Sequence, residues 1–419
     1  MSAVPAGRGR WRVTIHDRVF GNWASPVPAW QQTILVEVDD ARGRKLDKTW
    51  DGAAVFAFTV DGRSAAGALI QELQHDVYVW RWDEARGRDV CMFRGPITQA
   101  EDQLTTERHA VTFTAHDYLA MLERSIYTSN ATYTNVDQDA MVNSIVALAG
   151  NQTTDLGTSL HPACYLPLYS APVTPAGATR GASGQLRTRA AFGNATLLET
   201  LDAASKVQNG FDYDVLPAPE AAAAGLPSVP AGVDALRVFY PAQGIARTDI
   251  AFVYGANVAG LTRAVNSADY ANYVRELGNS GTGGTQLARD AWNAEATSAT
   301  PTVGLWMLGN NRADVSTAAG LTEHANGDLA LTALLDPAYT LTLTAGAYVY
   351  GVPNIGDTVQ TVVQSGRLDV NTALRVLGLA YVIGDDGNED VAVTVGRPQP
   401  NLRKAFRKIN NDVSALTRR

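Results

Sequence analysis

Between Trp11 and Leu122 apolar and polar residues alternate in short runs, WRVTI, TILVEVD, AVFAFTV, DVYVWRW, VCMFRGPI and HAVTFTAHD, separated by Gly, Asp and Pro turns. A period of two with closely spaced turns predicts six strands, arranged as a barrel or sandwich. One helical interruption, SAAGALIQEL, follows the turn at Asp61 and Gly62 and can place Ala68, Leu69 and Leu73 on one face. In DVYVWRW, Tyr78, Trp80 and Trp82 share one face and Val77, Val79 and Arg81 the other.

From Tyr118 the period changes. YLAMLERSIY, DQDAMVNSIVALAG and ATLLETLDAASKVQNG space apolar residues three and four apart, which predicts helices, the last with Gly210 as its C-cap. HPACYLPLYSAPVTPAGATRGASGQLRTR, from His161 to Arg189, is rich in Pro, Gly and Ser and reads as a long exposed loop. FDYDVL, ALRVFY and IAFVYG return to strand character, and after a mixed segment to about Gly327 so do TLTLTA, GDTVQTVV, ALRVLGLAYVI and EDVAVTVG. YVIGDDGNEDVAVTVG places two alternating runs around an Asp-Gly-Asn turn, the form of a β-hairpin, and suggests a second small barrel. In NLRKAFRKINNDVSALTRR, Leu402, Phe406, Ile409, Val413 and Leu416 follow at spacings of four, three, four and three, a two-heptad seam on a C-terminal helix.

The 419 residues exceed one ordinary core, so two to four domains are expected. A net charge of -8 argues against nucleic-acid binding as the main task, though not against passage of DNA through a pore. Of 34 basic residues 29 are Arg, a bias that suggests a GC-rich genome. Cys91 and Cys164 imply no disulfide framework. The opening MSAVPAGRGRWRVTI lacks a signal-peptide core and no run is long enough to span a bilayer, so synthesis in the cytoplasm without membrane anchoring is expected.

Candidate chemistry is sparse. Asp385, Asp386, Asn388, Glu389 and Asp390 crowd one turn, but not at calcium-loop spacing, and a solvated hairpin turn is the favoured reading. GNSGTGGTQ, from Gly278 to Gln286, stands between a possible strand and ARDAWNAEA, which could form a helix. It lacks the Lys and Ser/Thr of a Walker motif and the third Gly of a dinucleotide loop. His16, His75 and His116 each precede an Asp, and His109 and His116 point to opposite faces of a strand. No nucleophile elbow and no HExxH is present. No catalytic residue, cofactor or metal is assigned.

Four segments carry a family resemblance: VDGRSAAGALIQELQHDVYVWRW, FGNATLLETLDAASKVQNGFDYDV, SADYANYVRELG, and GDTVQTVV with RVLGLAYVIGDDGNEDVAVTVG. In this order the chain resembles the tail-hub or minor tail proteins of long-tailed, siphovirus-type phages, with a GC-rich actinobacterial host as the expectation. The resemblance implies a mainly β fold with α insertions (α+β). Its parts would be a β-barrel hub domain (1–123), a helical insertion domain with a long loop (124–205), return strands with a second β-barrel hub domain (206–398), and a C-terminal helix (399–419). It implies a non-enzymatic homotrimer at the tail tip of the virion, joining the tail tube to the tip around a channel that DNA crosses only in transit. Expected partners are a distal tail protein or the tube, the tape-measure protein, and fibre or tip proteins. Candidate interface residues are Tyr78, Trp80, Trp82, Leu402, Phe406, Ile409, Val413 and Leu416, with the strands Val55 to Val60 and Val77 to Trp82 and the loop before Gly193. The alternative is a host-surface glycan-binding module acting through the aromatic stripe or the 161–189 loop.

Overall fold

The computed structural model describes residues 11–18, 33–126, 133–150, 168–173, 186–189, 196–206, 210–226 and most of 229–396. The expected C-terminal helix with Leu402, Phe406, Ile409, Val413 and Leu416, the loop before Gly193 and Cys164 lie outside the described residues. No helix among the described residues is long and apolar enough to cross a membrane.

The first part holds seven strands: β1 (Trp11–Asp17), β2 (Ile34–Glu37), β3 (Arg42–Thr49), β4 (Val55–Asp61), β5 (His75–Asp83), β6 (Arg88–Leu104) and β7 (His109–His116). Six are the alternating runs. In β4, Phe56, Phe58 and Val60 are buried while Val55, Ala57 and Thr59 between them are partly exposed, as a half-buried strand requires. The seventh, β3, reads RGRKLDKT and has no apolar alternation; Leu46 is its one fully buried apolar side chain. β6 passes β7 so closely at Gly95 that a Cβ there would sit 2.0 Å from the His116 carbonyl oxygen.

The helix α1 (Ala65–Leu69) is capped by Ser64, whose Oγ accepts from the Gly67 amide at 3.0 Å. Its buried contact is Ala66, followed by Ile70 just past its end, whereas Ala68, Leu69 and Leu73 are exposed. Five residues are too few to develop the stripe that the spacing predicts.

After α2 (Leu119–Leu122) an inserted layer contains β8 (Tyr133–Asp137), α3 (Gln138–Gly150), β9 (Leu168–Val173), β10 (Leu186–Arg189), α4 (Leu197–Ser205), β11 (Asp212–Leu216), α5 (Ala218–Ala223) and β12 (Asp234–Phe239). The helices appear where the spacing predicts them, α4 with a full capping box between Thr196 and Glu199. α4 ends at Ser205 with Lys206 as its C-cap, so Gly210 does not cap it. The 161–189 segment, expected as a loop, contributes β9 and β10. β9 lies at the edge of the sheet β11-β12-β9, the position where a strand tolerates Pro172. A separate core, including Tyr118, Val142, Ile145, Leu201, Tyr213 and Leu236, holds this layer together.

The remaining elements are β13 (Ala246–Val253), β14 (Val258–Ala264), β15 (Tyr273–Ser280), β16 (Gln286–Trp292), β17 (Met307–Asn311), α6 (Ala318–Thr332), β18 (Ala338–Leu343), β19 (Thr358–Ser365), β20 (Leu368–Ile383) and β21 (Glu389–Gly396). β20 and β21 form the expected hairpin, with Ile383 opposite Glu389 and Gly387 at φ +79° in the turn. ARDAW, read as a possible helix start, is strand β16 paired to β15. The Gly-rich segment therefore precedes no helix, and the phosphate-loop reading loses its structural context.

One finding revises the architecture. β3 pairs β4 on one side and β20 on the other, with Leu46 opposite Tyr381 and Lys48 opposite Leu379. The two β-rich ends thus belong to one 13-stranded sheet, ordered β14-β18-β21-β20-β3-β4-β7-β6-β5-β1-β2, with β13 and β19 branching from β20. Two separate barrels are not what the described strands form: the ladder does not close on itself, and Phe56, Phe58 and Phe93 share a core with Leu341, Tyr381 and Val393. The physical reason is that a polar strand still offers a full set of backbone donors and acceptors, which bridge the apolar strands on either side.

Candidate functional site

Two buried charge clusters tie distant parts of the chain together. Arg94, within the apolar run of β6, is fully buried. Its Nη1 donates to Asp234 Oδ1 at 2.6 Å and to the Gly232 carbonyl at 3.0 Å, and its Nη2 lies 3.9 Å from Asp76 Oδ2. The guanidinium faces the rings of Tyr78 and Tyr118 at 5.3 and 5.2 Å, and Tyr118 donates its hydroxyl to Asp76 at 2.5 Å. Burial alone would lower the Arg94 pKa, but Asp234, the tyrosines and Asp76 more than offset it and hold the group well above its ordinary value. This cluster joins the first β part (Asp76, Tyr78, Arg94) to the inserted layer (Tyr118, Asp234).

The second cluster joins the first β part to the last hairpin. Arg81 Nη2 and Nε donate to the two carboxylate oxygens of Glu389 at 2.5 and 3.0 Å, and Trp11 Nε1 donates to Glu389 Oε2 at 3.0 Å. The Arg81 and Glu389 side chains are 8% and 1% exposed. Glu389, expected in a solvated turn, is therefore a buried clamp residue. The turn bends solventward only up to Asn388, after which the strand alternation points Glu389 into the core.

The histidines find ordinary partners: His16 with Thr14 at 2.8 Å, His116 with Thr98 at 2.8 Å, and His109 with Asp102 at 2.8 Å. Among the described residues no group of three or more His, Cys, Asp or Glu side chains could hold a metal ion. Of the aromatic stripe, Tyr78 is only 7% exposed and stacks on Trp80 at 5.8 Å, Trp80 donates its indole N–H to Thr14, and Trp80 and Trp82 remain partly exposed. β4, holding Val55 to Val60, is paired on both edges.

The most open apolar surface lies elsewhere. α6 packs against β15 and β16 on one face of the sheet β16-β15-β17, covering Val274 and Ala291. On the opposite face Tyr273 lies between Trp292 and Met307, which are 54% and 61% exposed. The approach to β17 adds Val303, Leu305 and Trp306, all exposed. This approach is pinned from below. Buried Asn272 donates to the Gly304 carbonyl at 2.7 Å and accepts from the Trp306 amide at 2.8 Å, and Glu295 accepts from the amides of Thr302 and Val303. Exposed aromatic and aliphatic side chains on a fixed backbone are the mark of an interaction surface. Sequence spacing gave no signal for it, because nothing in VGLWM says which face α6 leaves bare.

Beneath α6, Glu276 and Asp328 share Arg312 and Asn310, with Arg312 Nε 3.1 Å from Glu276 and Nη2 2.8 Å from Asp328. Burial, then the neighbouring Asp328, pushes Glu276 up to about 7 from its usual 4.5. Burial likewise raises Asp117 to about 7, against two backbone N–H bonds that lower it. A carboxyl whose folded pKa lies above its unfolded value stabilises the fold most at low pH and loses that contribution as pH rises to the folded value. Between about pH 5 and 7, Glu276 and Asp117 therefore make stability fall. Urea midpoints measured across that window will decline with pH, and Glu276→Gln will flatten the decline.

No protein-family model matches the chain, and no curated protein sequence does. Solved structures do. A tail protein from Neisseria meningitidis MC58 aligns with a TM-score of 0.54 at 12% identity, over 92% of this chain and 96% of that one. The 43 kDa tail protein of prophage MuSo2 from Shewanella oneidensis gives 0.56 at 10% identity, over 93% and 99%. Prophage tail protein gp18 from Listeria monocytogenes EGD-e gives 0.53 at 11% identity, over 96% and 99%. Identity this low speaks to fold alone, and along nearly its whole length the chain has the fold of these tail proteins.

Proposed function

We propose that this chain is a structural protein of a phage-type tail, one that works by packing against neighbouring subunits and transforms no substrate. The observation that carries this reading is the fold shared over 92–96% of the chain with three tail proteins. The buried clamps support it, because they make one rigid platform from three parts of the chain, and so does the fixed apolar face of Trp292, Leu305, Trp306 and Met307.

In its finer form the proposal is a homotrimeric hub at the tail tip of a siphovirus-type particle, joining the tube to the tip around a channel that DNA crosses in transit. Its neighbours would be a distal tail or tube protein, the tape-measure protein, and fibre or tip proteins. A seam at Leu402, Phe406, Ile409, Val413 and Leu416 would add contacts, and the partly exposed Trp80 and Trp82 would contribute more than the buried Tyr78. The alternative, glycan binding through the stripe, would fall to the partly exposed Trp80 and Trp82, since Tyr78 is buried.

Electron-microscopy averaging of the purified protein and of the particle tests the reading. A threefold ring with a central channel is expected. A chain that stays monomeric at high concentration and is absent from tails would overturn it. The double variant Leu305→Asp, Met307→Asp is expected to melt like wild type, since exposed substitutions change stability by about 0.5 kcal/mol or less, and to lose incorporation into particles, read by immunoblot of purified tails.

A further inference from the structure

A cavity of about 520 Å³ opens where three parts of the chain meet: β3 and β6, the inserted strands β11 and β12 with α5, and the segment 354–357 beside β20. That volume suits a small organic ligand. The walls carry both signs of charge, and the pairing among them is uneven.

The acids are all engaged. Asp214 accepts two bonds from Arg237, at 2.7 and 2.5 Å, and one from Gln243 Nε2 at 2.7 Å. Glu220 accepts two from Arg88, at 2.8 and 2.7 Å, and one from the Cys91 amide at 2.9 Å. Asp357 accepts from the amides of Ile245 and Asn354, both at 2.9 Å, and Asp117 from those of Ala54 and Leu119 at 2.8 and 3.0 Å.

Lys48 is left over. It stands on β3 in the same wall, half-buried, and its ammonium makes no hydrogen bond or ion pair with any described residue. Burial pushes its ammonium pKa down by more than the neighbouring Asp214 and Asp117 carboxylates raise it. Gln243, 8% exposed, also leaves its Oε1 without a partner. An ammonium in a partly desolvated cavity is stabilised when an anion meets it, and an orphaned amide oxygen calls for a donor.

We propose that this cavity binds a small organic anion whose carboxylate or phosphate pairs with Lys48 and whose hydroxyl or amide donor meets Gln243 Oε1. Arg88 and Arg237 flank such a ligand, each paired with a carboxylate of the same wall, Glu220 and Asp214. Because the walls come from three parts of the chain, the bound anion stabilises their junction. This site does not depend on the tail reading.

Isothermal titration of the full chain with inorganic phosphate and, separately, with succinate tests it. Wild type is expected to bind at least one probe with a millimolar or better constant. Lys48→Met should weaken that binding at least tenfold, whereas Lys45→Met, on the same strand but paired with Asp47 at 3.0 Å, should leave it unchanged. Preference for phosphate or for succinate identifies the source of the anion. Absence of binding by wild type at 10 mM of either probe, or equal binding by Lys48→Met, would overturn the proposal. If Lys48→Met fails to fold, Gln243→Leu decides: succinate presents no donor to Oε1, so glycerate, whose hydroxyls do, is the added probe, and its affinity advantage over succinate must vanish in that variant or the site is wrong.

Discussion

Replacing Arg94 with Met will destabilise the protein by about 3–5 kcal/mol, the usual cost of removing one partner from a buried ion pair. Methionine keeps much of the apolar stem, so the loss is chiefly electrostatic: Asp234 Oδ1 keeps only the Ala218 amide, and Asp76 keeps the Tyr118 hydroxyl and a distant Arg18 at 3.8 Å. The damage should concentrate where the inserted layer meets the first β part. Hydrogen exchange is the measurement of choice, with amides of β11 and β12 expected to lose protection before those of β4 and β7. Uniform loss across both cores would show that Arg94 supports the whole fold and not this junction. The double variant Arg94→Met, Asp234→Asn should recover part of the loss, because it removes the stranded charge as well as its partner.

Glu389→Leu will cost a similar amount, again about 3–5 kcal/mol, because it removes the carboxylate that the buried Arg81 guanidinium and Trp11 indole N–H share. Here the strain falls on the contact between the first strands and the last hairpin. Arg81→Met added to Glu389→Leu should return most of the lost stability, since an apolar pair of similar volume often replaces a buried ion pair at little cost. Thermal or urea melts of the two single variants and the double complete the cycle. If the single variant Glu389→Leu melts like wild type, the clamp contributes nothing and the two β-rich ends are held by the β3–β20 ladder and their shared core.

Much of the local structure is legible in the sequence, for reasons that are themselves local. Alternation in AVFAFTV reports a strand because successive side chains point to opposite faces, and the structure buries Phe56, Phe58 and Val60 accordingly. Thr196 and Glu199 announce the start of α4 because both capping contacts lie within one turn. The hairpin at Gly387 is legible because few residues other than Gly enter the left-handed region that its turn uses. β3 is not legible in the same way, since RGRKLDKT has no period to read.

The candidate sites are harder to see. Arg94 did carry one signal: an arginine inside CMFRGPI is a charge among buried neighbours and must have a partner. Nothing nearby supplies it, because Asp234 stands 140 residues away. Glu389 carried the opposite signal, sitting among acids in a turn, and its partner Arg81 is 308 residues distant.

By itself, then, the sequence determined strand and helix periods, turns, and a mainly β chain with helical insertions, since each rests on contacts within a few residues. Only the tertiary structure decided that both β-rich ends share one sheet through β3, that Arg94 and Glu389 are buried clamps, and that α6 leaves Trp292 and Met307 bare. Those outcomes depend on which strands become neighbours. Backbone pairing across a polar strand and the matching of buried charges are set by the assembled topology, and neither leaves a periodic mark on the chain.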